Sequence, residues 1–166
     1  MDEANRIVEL IPRLRRYARA LAGDRARADD LVQDTLERAW NKFHLWRPGS
    51  DLRAWLFTVM HNVHVNQVRS TRDHAMLDDE GAEMAVAGTQ GALLEIRDLE
   101  NALALLPAEQ REVLLLIALE DMSYAEVASA LGIPIGTVMS RLSRAREKLR
   151  ATMLGVPVTA RLQVVK

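Results

Sequence analysis

Residues 123–150 read SYAEVASALGIPIGTVMSRLSRAREKLR, and this stretch predicts a helix-turn-helix. Ser123 is followed three positions later by Glu126, a capping-box pattern at the head of a helix. Val127, Ala128 and Leu131 then recur at helical spacing. Gly132 stands where a chain leaving a helix takes a backbone conformation that other residues adopt at a cost. Pro134 cannot continue the first helix but suits the start of a second. In that second helix Val138, Leu142, Ala145 and Leu149 form one apolar stripe. Thr137, Ser140, Arg141, Arg144 and Lys148 occupy the other side, a face of hydroxyls and cations suited to phosphates and base edges. Ordinary helical bundles also contain helix pairs joined by a Gly turn. The short first helix and basic second helix favour DNA binding.

Outward from this stretch, charge is unevenly distributed. The 166 residues carry a net charge of -1, low for a DNA-binding protein. Residues 1–73 hold 13 Lys+Arg against 10 Asp+Glu, residues 74–100 hold 1 against 7, and residues 101–166 hold 8 against 6. Residues 135–150 alone hold five cations and one anion. Phosphate meets local charge, and the acidic middle segment masks it in the total. The chain is 49% hydrophobic, enough for a core, and has no cysteine, which excludes disulfides and thiolate metal sites and fits a reducing compartment. No apolar run approaches a membrane span and no signal-peptide pattern is read at the start, so a cytoplasmic protein without membrane insertion is expected.

Helical periodicity dominates, and the expected fold is all-α, with two small helical domains joined by a flexible acidic linker. In the first, Ile7, Leu10, Ile11, Leu14, Tyr17, Ala18 and Leu21 form a stripe ended by Gly23. A second helix carries Leu31, Val32, Leu36, Ala39, Trp40 and Phe43. After the break at Arg47, Pro48, Gly49 and Ser50, a third starts near Asp51 with Leu52, Trp55, Leu56, Val59, Met60 and Val63 in register. The second domain opens with Leu93, Leu94, Ile96, Leu99, Leu103 and Leu106, and then Pro107 starts a helix through Val113, Leu114, Ile117 and Leu119. The expected boundaries are 1–72, a linker 73–91, a second domain 92–153 and a frayed tail 154–166.

Two further polar faces stand out. On the third helix Thr58, Asn62, Asn66 and Arg69 line up away from the core. Amides can hydrogen-bond base edges and arginine can hold phosphate, whereas a merely solvated face favours Glu and Lys. Trp46 and Trp55 read as core. On the second helix Asp29, Asp30, Gln33, Asp34 and Glu37 share the polar side. First-turn acids are explained by the helix dipole alone, or they could dock on a basic partner. His61 and His64 lie three apart with no further ligand at metal spacing, so they read as solvent or core histidines. No phosphate loop, catalytic triad or carboxylate pair is present, and no enzyme, cofactor or metal is expected.

Together these motifs resemble the extracytoplasmic-function (group 4) sigma factors of bacterial RNA polymerase, over about residues 6–153. ADDLVQDTLERAW (28–40) looks like region 2.2, DLRAWLFTVMHNVHVNQVR (51–69) like regions 2.3 and 2.4, LPAEQREVLLL (106–116) like the opening of region 4, and residues 123–149 like region 4.2. Regions 1.1 and 3 of larger sigma factors are missing. The resemblance implies a region 2 bundle of three or four helices, a region 4 helix-turn-helix, and promoter recognition in transcription initiation. It implies that Asp30, Gln33, Asp34 and Glu37 bind core polymerase on the β′ clamp coiled coil, while region 4 meets the β flap. Asn62 matches a position that captures a flipped base of the minus-ten element, with Asn66 and Arg69 near the same strand. Thr137, Ser140, Arg141, Arg144, Arg146 and Lys148 fall on the helix that enters the major groove at the minus-thirty-five element. Control by an anti-sigma factor is implied as well.

Met139 departs from the pattern, since many relatives have Lys or Arg there. The two promoter elements lie about two helical turns, roughly 70 Å, apart. A linker of about nineteen residues extends to roughly 60 Å, so two domains so joined reach both. Two rivals remain. A sigma mimic that binds only an anti-sigma factor should have lost its recognition-helix cations, which are present. A conventional helix-turn-helix regulator would leave the Asp30 and Asn62 faces without a task.

Overall fold

The computed structural model describes residues 2–75 and 92–155. Every regular element among them is helical: α1 (Glu3–Ala22), α2 (Arg25–Asn41), a single 3-10 turn (Phe43–Leu45), α3 (Leu52–Ala75), α4 (Ala92–Ala104), α5 (Ala108–Ala118), α6 (Tyr124–Leu131) and α7 (Ile135–Met153). Residues 76–91 and 156–166, most of the expected linker and tail, lie outside the described residues.

Short polar side chains set the helix starts. Asp2 accepts from the Ala4 amide, Asp24 from the Ala26 amide, and Asp51 from the Arg53 and Ala54 amides. Each satisfies a first-turn donor that has no partner within the helix. The reciprocal capping box of Ser123 and Glu126 is present as the sequence predicts. Gly132 ends α6 in the left-handed region at φ 65°, with its amide donating to Ala128 O.

α1, α2 and α3 form one bundle and α4 to α7 a second. Leu14, Leu31, Leu56 and Met60 fill the first; Val113, Leu116, Val127, Val138 and Leu142 fill the second. The two cores are continuous, because α1 packs against α5 and α3 against α6. The apolar stripe of α7 is as periodicity predicts, with Val138, Leu142 and Ala145 buried and Leu149 half-buried.

Three expectations are corrected. Trp40 is 65% exposed rather than core, because α2 ends at Asn41 and the inner face of its last turn is supplied by the small Ala39. Phe43 lies beyond α2, stacked on Trp46 at 5.5 Å and edge-on to Trp55 at 6.3 Å. On α4, Ile96 and Leu99 are exposed, and Ala102 and Leu106 carry the burial instead.

The contact between the bundles is polar as well as apolar. Glu120, just past α5, is fully buried. Its Oε1 accepts from Arg16 Nη2 at 3.5 Å, and its Oε2 lies 3.2 Å from Arg13 Nε, an ion contact without hydrogen-bond alignment. Arg16 and Arg53 also donate to the carbonyls of Leu119 (3.3 Å) and Glu120 (2.9 Å). Arg111 answers from the other side, donating to Leu21 O at the end of α1 (2.9 Å) and to Leu103, Ala104 and Leu106 around the end of α4. Carbonyls at helix C-termini have no intrahelical donor and carry partial negative charge, so guanidinium groups suit them. His61 pairs with Glu112 across the same seam.

Burial pushes the Glu120 carboxyl upward in pKa, with Arg13, Arg16 and Arg53 pulling it back. Because Glu120→Ala strips Arg13 and Arg16 of their carboxylate partner at the seam, it should weaken docking of the bundles by about 1–3 kcal/mol, discounted because those partners are partly solvated. The expected signature is a larger radius of gyration in X-ray scattering with helix content unchanged; an unchanged radius would place the docking energy in apolar packing alone. Burial also lowers the pKa of His64, as do His61 and Arg111, while Glu112 raises it. A histidine depressed in the folded state contributes stability above its ordinary pKa of about 6.5 and loses it as pH falls through its folded value. Acidification through and below about pH 6 should lower the urea midpoint, and His64→Gln should shrink that drop.

Candidate nucleic-acid interface

α7 presents its polar side to solvent because α5, α6 and α4 cover the other. At about 100° per residue the exposed face centres on Ser140 and Glu147, with Ser143 and Arg144 on either side. Arg146 and Met139 flank one edge; Thr137, Arg141 and Lys148 flank the other. Accordingly Ser140, Arg144 and Arg146 are exposed, and Thr137, Arg141 and Lys148 are half-buried. Arg141 is also engaged by Glu109 of α5 at 3.6 Å. Ser140 Oγ donates to Thr137 O at 3.1 Å, a bond a hydroxyl can exchange for another acceptor. The six α7 residues read from the sequence therefore divide, with Arg144 and Arg146 free of ion pairs among the described residues.

On α3, Asn62, Asn66 and Arg69 are exposed. Thr58, the fourth member of that stripe, is half-buried and donates to Ala54 O at 3.0 Å. On α2, Asp30, Gln33, Asp34 and Glu37 are all exposed. The two faces meet: Gln67 Nε2 donates to Asp34 Oδ2 at 2.7 Å, fixing the carboxylate against α3. A shallow groove of about 500 Å3 runs between the helices, with Asp34, Glu37, Arg38, Lys42, Asn66 and Gln67 among its lining residues. The structure thus joins Asp34 and Glu37 to Asn66, while Asn62 lies outside that lining.

Trp40 extends the acidic face of α2, three residues beyond Glu37, and periodicity misplaced it as core. Tryptophan is among the residues enriched at protein-binding hot spots. His61 and His64 belong to the seam between bundles, a role hidden because Glu112 is 51 residues from His61. Among the described residues no group of three or more His, Cys, Asp or Glu is placed to hold a metal ion. No described helix is long and apolar enough to cross a membrane.

These faces have counterparts in known proteins. Residues 7–61 match the family model described as the Sigma2 domain of PhyR, and residues 96–149 match Sigma-70, region 4. The chain is 40% identical over 153 residues to the ECF RNA polymerase sigma factor EcfG of Rhodopseudomonas palustris, covering 89% of this chain and 82% of that protein. It is 39% identical over 149 residues to the ECF RNA polymerase sigma factor SigL of Mycobacterium tuberculosis, covering 87% and 84%. The fold is similar to that of the sigma factor RpoE of Bartonella quintana, solved in complex with the anti-sigma factor NepR, with a TM-score of 0.82, 37% identity, and 93% and 98% of the two chains covered. It is also similar to CnrH in complex with the cytosolic domain of CnrY, with a TM-score of 0.69, 28% identity, and 92% and 87% covered. With both helical units matched in order and over most of its length, the chain belongs to the extracytoplasmic-function sigma factors of RNA polymerase, a non-enzymatic family.

Proposed function

We propose that residues 1–72 form the unit that binds core polymerase and the minus-ten element, and residues 92–153 the unit that binds the minus-thirty-five element. Asp30, Gln33, Asp34 and Glu37, with Trp40, offer an acidic face with one large apolar side chain to the β′ clamp coiled coil. Asn62 holds an unstacked base, with Asn66 and Arg69 beside the strand. Arg144, Arg146 and Ser140 enter the major groove upstream, and the half-buried Thr137, Arg141 and Lys148 grip its rim. The observation that carries this reading is selective exposure. Arg13, Arg16, Arg53 and Arg111 are used between the bundles, while Asp30, Gln33 and Glu37 on α2, Asn62, Asn66 and Arg69 on α3, and Ser140, Arg144 and Arg146 on α7 stay exposed.

Docked bundles cannot serve both elements at once. A compact chain of this length has a radius of gyration of about 15 Å, hence is about 40 Å across. The promoter elements lie roughly 70 Å apart. The chain between Ala75 and Ala92 spans about 60 Å at full extension, enough once the bundles part. The docked form is then the resting form. An anti-sigma factor that binds across both bundles would hold it closed, a control supported by the complexes of RpoE with NepR and CnrH with CnrY. The site of action is cytoplasmic, where polymerase resides.

Purified core polymerase with genomic DNA tests the whole reading. Specific initiation dependent on this chain is expected. DNA binding by the chain alone without initiation would instead identify a conventional helix-turn-helix regulator. Asn62→Ala should reduce permanganate reactivity of the melted region while leaving core binding intact, because trapping an extruded base acts after docking. Arg144→Ala should weaken engagement of the upstream element by about 1–3 kcal/mol. Because the chain has no cysteine, dyes on Arg27→Cys and Arg150→Cys report separation directly. Energy transfer should fall when holoenzyme binds a promoter, and unchanged transfer would refute undocking.

A further inference from the structure

Met139 and Ile135 are apolar, 53% and 49% exposed, and one turn apart at the N-terminal end of α7. A single exposed apolar residue needs no explanation. Two neighbours on the end of a recognition helix that meets base edges do. Neither belongs to the core, which α7 builds from Val138, Leu142 and Ala145.

We propose that Met139, with Ile135 beside it, is a specificity residue that reads thymine C5-methyl groups in the upstream promoter element. This rests on α7 being the helix that enters the major groove there. In the major groove the C5-methyl of thymine is the apolar group that distinguishes one base edge from the others. A Lys or Arg at this position would reach a phosphate or a guanine; a thioether does neither. Methionine is long, unbranched and polarisable, so it can settle against a methyl without a fixed geometry. Ser143, one turn further along, and Arg146, on the same edge, are exposed beside it and supply the hydrogen bonds that an apolar contact lacks. The occupant of this patch is DNA rather than a protein helix, because the cations Arg144, Arg146 and Arg150 are exposed around and beyond it, with Glu147 the one acid on the helix. Arginine on this helix positions it on phosphates, and Met139 adds discrimination between base pairs.

The test uses holoenzyme assembled from the full chain and core polymerase. A promoter duplex is selected from a pool randomised in the upstream element, then resynthesised with deoxyuridine replacing each thymine in turn, which removes only the methyl. One or two replacements should weaken binding about fourfold, the loss of one buried methyl at about 0.8 kcal/mol. Met139→Ala should weaken binding to the unmodified duplex by a similar factor and become insensitive to the same replacement, the non-additivity that marks a direct contact. Met139→Leu should restore sensitivity. Selection of an element without thymine under α7, tolerance of deoxyuridine at every position, or undiminished sensitivity in Met139→Ala would overturn the proposal. So would loss of core-polymerase binding by Met139→Ala without DNA, which would make the patch a protein contact. If binding ignores the upstream element altogether and Arg144→Ala has no effect, the failure lies instead in the assignment of α7.

Discussion

The arrangement of this molecule depends on arginine side chains placed on helix C-termini across the seam between the bundles. Arg16 and Arg53 of the first bundle reach the carbonyls at the end of α5, and Arg111 of α5 reaches the end of α1. Each end would otherwise present unpaired carbonyls to a packed surface, at a desolvation cost comparable to a lost hydrogen bond. Glu120 sits among the guanidiniums and balances their charge. Its full burial means that the carboxylate has exchanged water for arginine, a trade that roughly cancels when the partners are well placed.

That near-cancellation suits the proposed opening of the joint. An apolar seam of equal area would lose its whole hydrophobic contribution on parting. Here the guanidinium and carboxylate groups regain hydration on separation, so part of the cost is returned. The apolar remainder, where α1 packs against α5 and α3 against α6 and the two cores join, carries the hydrophobic part of the docking. His64, held neutral by burial in the same seam, adds a dependence on acidity that neither bundle would have alone.

The sequence made the local elements legible because their causes are local. The capping box at Ser123, the left-handed turn at Gly132 and the α7 stripe each depend on residues a few positions apart. The exposed amides of α3 were legible for the same reason. The seam was not, because periodicity shows that a helix has a polar or apolar side without showing what meets it. Arg53 reads as a solvated cation until Glu120, 67 residues away, is placed beside it. Trp40 and Leu99 failed in the opposite sense: each continues a periodic apolar pattern, yet each lies where its helix has no neighbour to cover it. Unpartnered apolar residues on a helix are invisible to a rule that equates apolar with buried.

The same distinction governs the charge available for DNA. Counted from sequence, the first bundle is mildly cationic, whereas residues 92–153 hold 7 Lys+Arg against 9 Asp+Glu, with the positive charge concentrated on α7. In the structure Arg13, Arg16, Arg53, Arg111 and Arg141 are all engaged internally, by Glu120, by helix ends or by Glu109. On α7 Arg144, Arg146 and Arg150 remain exposed outside any of these pairs, as do Arg69 on α3 and Arg6, Arg15, Arg19, Arg25, Lys42 and Arg47 elsewhere on the first bundle. In the proposed undocking, Arg13, Arg16 and Arg53 would part from Glu120 and from α5, which would raise the positive potential of the first bundle where it is proposed to meet a strand.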